Sequence, residues 1–491
     1  MRYIASFCLL FTLVLPVKAQ STFEFLLPTD TRTYSIMAID DNNGGIITLI
    51  STVTGIGGPW EYLKGYVLEI SATGDTTSHQ YSFHDTAFFL NRIHRLNNGG
   101  YIVTGRSAPP NTSAIGLLLM GLDDDFNLQW AKHYPYSTYN NDVWVYDVYQ
   151  DGDTLIMPAG RCEFPCGSKY PMLLKTDLNG NILQEVFHDN PLLDSGQPSY
   201  LLSIDRKTIY MFAFAFIGGV TGPSYSAFNE DFEYLYTLPL IPQDHSSWRY
   251  CSTWSSDSIM LMSYISTRAE KTTYYDEDVW LARYDTGFNL LNRANFGSVD
   301  TLDYTPFGGA GIGSLHPDTI FFAGFKNAAL TYPGPSKVSW IMAGQVDSQL
   351  QPRFLHYIGG DAYYEVKYML PLSDGGVLIH AGKLNRDTQL YDAYFIKLNR
   401  EGLITGNKPV HTVINRAFIS PNPAKETLKV ECMLKGAKAQ VLSLTGTELA
   451  LYGLEQGTSL IPLHDLKPGM YLLGITLPGK GIIETHKFIK L

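Results

Sequence analysis

The sequence predicts an all-β protein, a seven-bladed β-propeller followed by a small C-terminal β-sandwich. Three observations carry this. Tyr (32), Phe (25) and Gly (44) are plentiful while charged residues make up only 17%. That mix favours strands and turns, and it excludes a disordered chain or a coiled coil. A turn followed by an apolar strand ending in small residues recurs seven times. Near the C-terminus the pattern changes to shorter alternating segments with their own turns. At 491 residues, the chain is about three times the ~150 residues of a typical domain, so several domains or one large repeat are expected.

In chain order, Met1-Arg2-Tyr3, an apolar run from Ile4 to Val17 and then Lys18-Ala19-Gln20 read as a signal peptide over residues 1–19, cleaved after Ala19. The run is short for a membrane span, and no later stretch reaches about 18 apolar residues, so no transmembrane segment is expected. Cys8 lies within the run rather than at its end, which argues against a lipidated cysteine.

The repeated segments are Gly44–Leu49, Gly99–Gly105, Asp153–Met157, Lys207–Phe212, Asp257–Met262, Asp318–Gly324 and Gly375–Gly382. Their mean period is about 55 residues. A second shared strand and turn follows, as in Tyr66–Gly74, Leu173–Gly180, Trp280–Gly287 and Tyr394–Gly402. With a leading and a trailing strand each unit has four, the signature of propeller blades whose inner strands are buried on both faces. The seventh unit runs from Gly402-Leu403-Ile404 into a linker without a fourth strand, while Phe23–Pro28 has the sequence of one. The N-terminal strand is therefore expected to complete the last blade and hide its edge. The ring is placed at residues 20–405 and the linker at 406–416.

Residues 417–491 alternate in short strands such as Leu428–Glu431, Ala439–Leu444, Ser459–Leu463 and Met470–Ile475, a pattern for a small sandwich. Three motifs stand there in order: Ser420-Pro421-Asn422-Pro423-Ala424, then Leu466-x-Pro468-Gly469-x-Tyr471, then a basic terminal strand with Lys487 and Lys490. This segment resembles the C-terminal sorting domain of the type IX secretion system of Bacteroidetes. The resemblance implies the type IX machinery as partner and export across both membranes, to the cell surface or beyond. In that family the domain is usually removed after export. The blades resemble the diverse propellers of secreted Bacteroidetes proteins, and carry neither a WD dipeptide, a kelch signature nor a sialidase-type box.

A net charge of -11 argues against a nucleic-acid partner held through phosphates. Neither His-Glu-x-x-His, Gly-x-Ser-x-Gly nor a phosphate-binding glycine loop is present, so no cofactor, metal or catalytic residue is assigned. Asp123-Asp124-Asp125-Phe126-Asn127 has half the spacing of a calcium loop, but Leu128 and Tyr134 replace its glycine and bidentate glutamate. It also aligns with turns of other units and reads as an Asx-rich turn. Cys162 and Cys166 suit a short-loop disulfide in an exported protein; Cys251 and Cys432 read as buried thiols. Asp153-Thr154, Asp257-Ser258 and Asp318-Thr319 resemble glycosylated Asp-Ser/Thr sites of some Bacteroidetes, yet each opens a blade strand and reads first as a turn.

Loops on one face of a rigid scaffold commonly carry binding. Loops between second and third strands share a face with the inter-blade connections. They hold Trp60, Glu61 and Tyr62; Tyr274, Tyr275 and Asp276; Tyr332; and Tyr391, with Tyr136, Tyr139 and Asp142 between blades. Such aromatics stack on sugar rings or anchor a peptide, while carboxylates accept hydrogen bonds from hydroxyls. The expectation is a non-catalytic module binding a glycan or a surface protein. The alternatives are a polysaccharide hydrolase or lyase using Glu61, Asp142, Asp276 or Asp278 as acid or base, and a scaffold in surface adhesion or matrix.

Overall fold

The computed structural model describes residues 21–491 apart from 28–31, 35–36, 54–62, 84–85, 109–115, 136–141, 163–168, 189–197, 218–219, 241–248, 268–275, 299–300, 307–309, 330–335, 405–416, 421, 433, 435, 445, 456 and 479–480. The described regular structure is all β. From the start of the ring to Leu398 the strands form seven antiparallel sheets in chain order. In blade two, for example, Ala87–Arg95, Tyr101–Ala108, Gly116–Leu122 and Leu128–Tyr134 pair each with the next.

Burial follows position within a blade. Gly116–Leu122 and Met260–Thr267 are buried at every residue, while the outer strands Leu128–Tyr134 and Tyr234–Pro239 are largely exposed. Strands buried on both faces need continuous apolar runs rather than alternation, which is why the repeats are legible as blocks such as Leu117-Leu118-Leu119-Met120.

Seven hydrophobic clusters join the blades, each shared by two neighbours. The seventh brings Tyr368, Leu378 and Phe395 of blade seven against Ile46, Ile50 and Tyr66 of blade one. The ring is closed by hydrogen bonding through Phe23–Leu27, which pairs antiparallel with Tyr391–Leu398, from Phe23 opposite Lys397 to Leu27 opposite Ala393. Phe23, Phe25 and Leu27 are buried and Glu24 and Leu26 are exposed, the period-two pattern of an outer strand. Turns reinforce the seam: Ser373 donates its backbone N–H to Asp40 Oδ2 at 2.5 Å, and the buried Lys397 donates to Gly44 O and Asp374 Oδ2, both at 2.5 Å.

The turn after the third strand repeats one construction. Asp123, Asp177, Asp285 and Asp347 each accept, through Oδ1, the backbone N–H groups two and four residues on. This is an Asx turn, so the Asp123 carboxylate serves its own loop. The third residue after the turn's first is left-handed: Phe126, Phe232, Phe288 and Leu350 (φ 58 to 64°) in four blades, and Gly74, Gly180 and Gly402 (φ 91, 75 and 78°) in three. Phe288 packs on Tyr210, Phe212 and Tyr225 of the preceding blade. At Gly180 and Gly402 the preceding blade supplies the ring instead, Trp130 over Gly180 and Phe354 over Gly402. The volume is conserved and its owner changes.

Residues 417–491 form a three-stranded sheet (Ala417–Ser420, Thr427–Cys432, Gly457–Pro462) and a four-stranded one (Glu448–Gly453, Lys438–Leu442, Gly469–Leu477, Gly481–Lys490). They share a core that includes Leu428, Val430, Val441, Leu473, Ile475 and Phe488. The sequence motifs have structural reasons here. Asn422 accepts Ile489 N–H and donates to Lys487 O, fastening the Pro-Asn-Pro segment to the terminal strand that carries Lys487 and Lys490. Tyr471 stacks on Phe488 and donates to Lys467 O, holding the turn before Gly469. Pro421 lies outside the described residues, whereas Pro423 is exposed. Cys251 and Cys432 are buried.

Candidate functional site

The innermost strands of all seven blades surround one cavity of about 330 Å³ on the ring axis. Met37, Arg92, Asp147, Ser199, Ser252, Ser314 and Tyr368 line it, one residue from each blade, spaced by roughly one repeat of about 55 residues. The innermost strand of each blade is an edge strand of its sheet and turns that edge to the axis, so each repeat offers an equivalent position to the cavity. The wall is completed by rings and hydroxyls that include Tyr146, Tyr200, Tyr250, Thr253 and Trp254.

Arg92 and Asp147 are the charged lining residues of the described wall. Arg92 is only 3% exposed. Its Nε donates to Tyr146 O at 2.7 Å, and Nη1 donates to Asn91 O at 3.2 Å and Oδ1 at 3.1 Å. Asn91 in turn donates to Val145 O at 2.6 Å. Burial lowers the Arg92 pKa, and the Asp147 charge opposes that. Burial raises the Asp147 pKa, against the Arg92 charge and the donated Tyr149 hydroxyl and Val148 N–H. The Tyr149 hydroxyl is pushed well above its ordinary range, by burial and then by Asp147. Burial also lowers His94. A buried charge is tolerated when it is paired and hydrogen-bonded, and each of these two is the other's electrostatic partner. The remaining polar groups are neutral: Ser199 Oγ lies 2.7 Å from Ser252 Oγ, Tyr368 Oη 3.0 Å from Thr48 Oγ1, and Trp254 Nε1 donates to Leu202 O at 2.8 Å.

Glycosidic chemistry uses two carboxyl groups about 5–10 Å apart across the scissile bond. The described cavity wall has one. A close carboxylate pair occurs elsewhere: Asp278 and Asp303, both 0% exposed, have oxygens 1.9 and 2.8 Å from the place a Cβ on Gly297 would take. Asn295 Nδ2 donates to Asp278, and the backbone N–H groups of Ser298 and Asn327 donate to Asp303. Burial pushes the Asp303 carboxyl up to about 6, against these hydrogen bonds and with help from the Asp278 charge. Neither residue lines the cavity.

Of the residues singled out in the sequence, Trp60, Glu61, Tyr62, Tyr136, Tyr139, Tyr274, Tyr275 and Tyr332 lie outside the described residues, as does Cys166 and with it the expected disulfide. Asp142 opens the strand Asp142–Val145, its backbone opposite that of Cys162. Asp276 was expected on an open loop face and is buried, 5% exposed, immediately before the third strand of blade five, Glu277–Tyr284. Tyr391 likewise starts a strand, half-buried, with Lys367 Nζ 5.7 Å from its ring centre. The axial residues were not singled out, although Asn91-Arg92 interrupts the apolar run Phe88–Ile93, a signal that a sequence reading can use. Asp153-Thr154, Asp257-Ser258 and Asp318-Thr319 lie at turns: Thr154 donates to Asp151 O, Ser258 is left-handed (φ 64°), and Asp318 accepts Ser348 N–H. Among the described residues no three His, Cys, Asp or Glu side chains are grouped to hold a metal ion, and no helix is long and apolar enough to cross a membrane.

The blades and their axial cavity define a secreted β-propeller carrying a second, C-terminal domain. Residues 419–490 match the family described as the secretion system C-terminal sorting domain, and the chain is therefore a type IX secretion cargo, delivered to the cell surface or the extracellular space. Among solved structures it is similar to PorZ, a bacterial surface component of the type IX secretion system of Porphyromonas gingivalis, at 9% identity over 94% of this chain and 82% of that one, with a TM-score of 0.28. It is also similar to the β-propeller domain of the Trilobed protease from Pyrococcus furiosus (8% identity, 77% and 100% covered, TM-score 0.40). A third is the α-L-arabinanase of Penicillium chrysogenum complexed with arabinobiose (11% identity, 77% and 97% covered, TM-score 0.37). No curated protein matches the chain.

Proposed function

We propose that the propeller is a non-catalytic binding module, displayed outside the cell by the sorting domain, and that its axial cavity takes a neutral saccharide unit. One observation carries this reading: the single carboxylate of the described wall is matched to Arg92, while the rest of the ring offers hydroxyls and aromatic faces. An internally neutral pocket selects against charged ligands. Hydroxyls and rings together suit a polyhydroxylated ring with one polar edge and one apolar face. The aromatics Trp60, Tyr136, Tyr275 and Tyr332, singled out in the sequence, belong to the proposal as candidate contacts to further sugar units.

Titration calorimetry of the chain with a panel of neutral and acidic oligosaccharides tests it. A neutral saccharide should bind, and Trp254→Ala should weaken it about tenfold, a loss of about 1.4 kcal/mol. Binding unchanged in that variant would remove the cavity from consideration. Release of shortened sugars in the same mixtures would establish the hydrolase reading in its place.

A further inference from the structure

Among the described residues, the outermost strand of every blade has an edge without a neighbouring strand, and natural sheets blunt such edges with charge. Five blades do so with a formal charge, as Lys132, Glu185, Arg293, Arg353 and Glu24 each lie within an outer strand, and the outer strand of blade one has the polar sequence Thr76-Thr77-Ser78-His79-Gln80-Tyr81. Blade four does not. Its outer strand, Tyr234-Leu235-Tyr236-Thr237-Leu238-Pro239, contains no Asp, Glu, His, Lys or Arg. Tyr234, Leu235, Tyr236 and Leu238 are 36, 48, 39 and 45% exposed, while each of the other outer strands exposes at most one large apolar side chain to that degree.

The backbone on this edge is oriented for pairing. Leu240 N–H donates inward to Pro223 O at 2.9 Å, and the ladder pairs Leu238 with Tyr225 and Tyr236 with Ala227. Alternation along an antiparallel strand then turns the N–H and C=O of Thr237 outward. Pro239 also faces outward, so its missing N–H costs the blade no internal rung.

We infer that this edge is the interface for a second copy of the chain, the two Tyr234–Pro239 strands running antiparallel about a two-fold axis between their Thr237 residues. In that register the two Thr237 backbones exchange both hydrogen bonds. Tyr236 stands across from Leu238 on each side of the axis, an aromatic–aliphatic cross-strand pair. Two-fold pairing brings each edge against its own copy, so the absence of ionisable groups along this strand favours a copy as occupant: a charge near the axis would meet itself. The acidic turn Glu230-Asp231 with Glu233 lies at one end of the strand, and antiparallel pairing sends the two turns to opposite ends.

Sedimentation velocity of the full chain, from about 1 to about 100 µM, tests this. A concentration-dependent dimer is expected in that range, typical of a modest interface. Leu238→Lys should weaken it at least tenfold. Thr237→Pro, which removes an outward donor and no inward rung, should do the same. Far-UV circular dichroism of both variants and the melting of Leu238→Lys should match the parent, while Thr237→Pro should melt a little lower because it also gives up the hydroxyl that bonds Ser226 and Tyr234 within the strand's own blade. A chain that stays monomeric at the highest concentration, or a dimer that both variants leave unchanged, overturns the inference.

Discussion

Phe25 tests whether the ring depends on its N-terminal strand. The side chain is 1% exposed and stacks on Phe395 of the neighbouring strand (centroids 5.7 Å apart, planes at 25°). Phe395 stacks in turn on His380 at 4.4 Å, and the same cluster reaches Ile46, Ile50 and Tyr66 of blade one. Phe25→Ala would therefore open a void at the seam between the last blade and the first. Loss of a fully buried phenylalanine costs about 3–5 kcal/mol, a large share of the 5–15 kcal/mol by which folded domains are stable. Leu26 provides the control, one residue along and facing out at 36% exposure. Leu26→Ala should change stability by no more than about 0.5 kcal/mol.

Urea unfolding followed by tryptophan fluorescence measures both variants. Amide hydrogen exchange adds location: in Phe25→Ala, protection should fall first in Tyr391–Leu398, the strand that Phe23–Leu27 covers, because sub-global opening follows the weakened element. Glu24 Oε1 accepts the Tyr394 hydroxyl at 2.5 Å, so a polar clasp persists in the variant and the loss reports apolar packing. Equal midpoints for Phe25→Ala and Leu26→Ala would refute ring closure by this strand as a source of stability.

Two further outcomes follow from the packing. Asp303 holds its proton up to about pH 6 in the folded protein, against an ordinary carboxyl value of 3.8. The folded state therefore binds more protons between those values, and this group's stabilisation is full below about pH 4 and lost as pH rises towards about 6, by about 3 kcal/mol in all. Melting profiles across that window should slope less in Asp303→Asn than in the parent, and identical slopes would refute the assignment. The second concerns volume at the blade turns. Gly180 (φ 75°) has Trp130 2.5 Å from where a Cβ would lie, whereas Gly152 (φ 56°), in the same blade, has nothing within 4 Å. Gly152→Ala should cost about 1–2 kcal/mol of left-handed strain, and Gly180→Ala a further 1–3 kcal/mol, roughly the cost of overpacking. Equal urea midpoints would show that Trp130 moves aside freely.

Much of the ring was legible in the sequence because blade packing imposes a one-dimensional signal. Inner strands buried on both faces demand unbroken apolar blocks, and turns between them demand glycine or Asx residues. Gly99-Gly100 before Tyr101 and Asp123 before Phe126 show both. Phe23–Leu27 was legible for a related reason: its alternation fits an outer strand, and the last unit lacked one. The loop face was not, since the aromatic loops carry no periodic constraint and Asp276 looked like loop until its strand began at Glu277. The cavity was missed for a different reason. Its residues are scattered singly through seven strands, and each looks ordinary in its own segment.

The repeat supplies the means to find them. Hydrogen bonds between side chains or backbone of adjacent blades recur at sequence separations close to one period: 54 residues for Arg92 to Tyr146, 53 for Ser199 to Ser252, 52 for Trp254 to Leu202 and 55 for Gln345 to Arg400. In a ring of blades, residues one period apart are neighbours across a blade boundary, as residues four apart are neighbours on a helix. Read this way, Arg92 points to Asp147, one period on, before any coordinates are known. The same offset then runs through Ser199, Ser252, Ser314 and Tyr368 and back to Met37. The ring of equivalent positions is thus charged at blades two and three, hydroxylated at four to six, and apolar at one. Removing one of two opposed charges leaves the other uncompensated, so Arg92 and Asp147 are expected to vary together, and Ser199 and Ser252, which share a hydrogen bond, are coupled as well, whereas Ser314 is free to vary singly. That asymmetry gives any ligand on the axis a fixed polar side to face. It also puts freedom to change specificity in Ser314 of blade six, away from the opposed charges and from the Ser199–Ser252 pair.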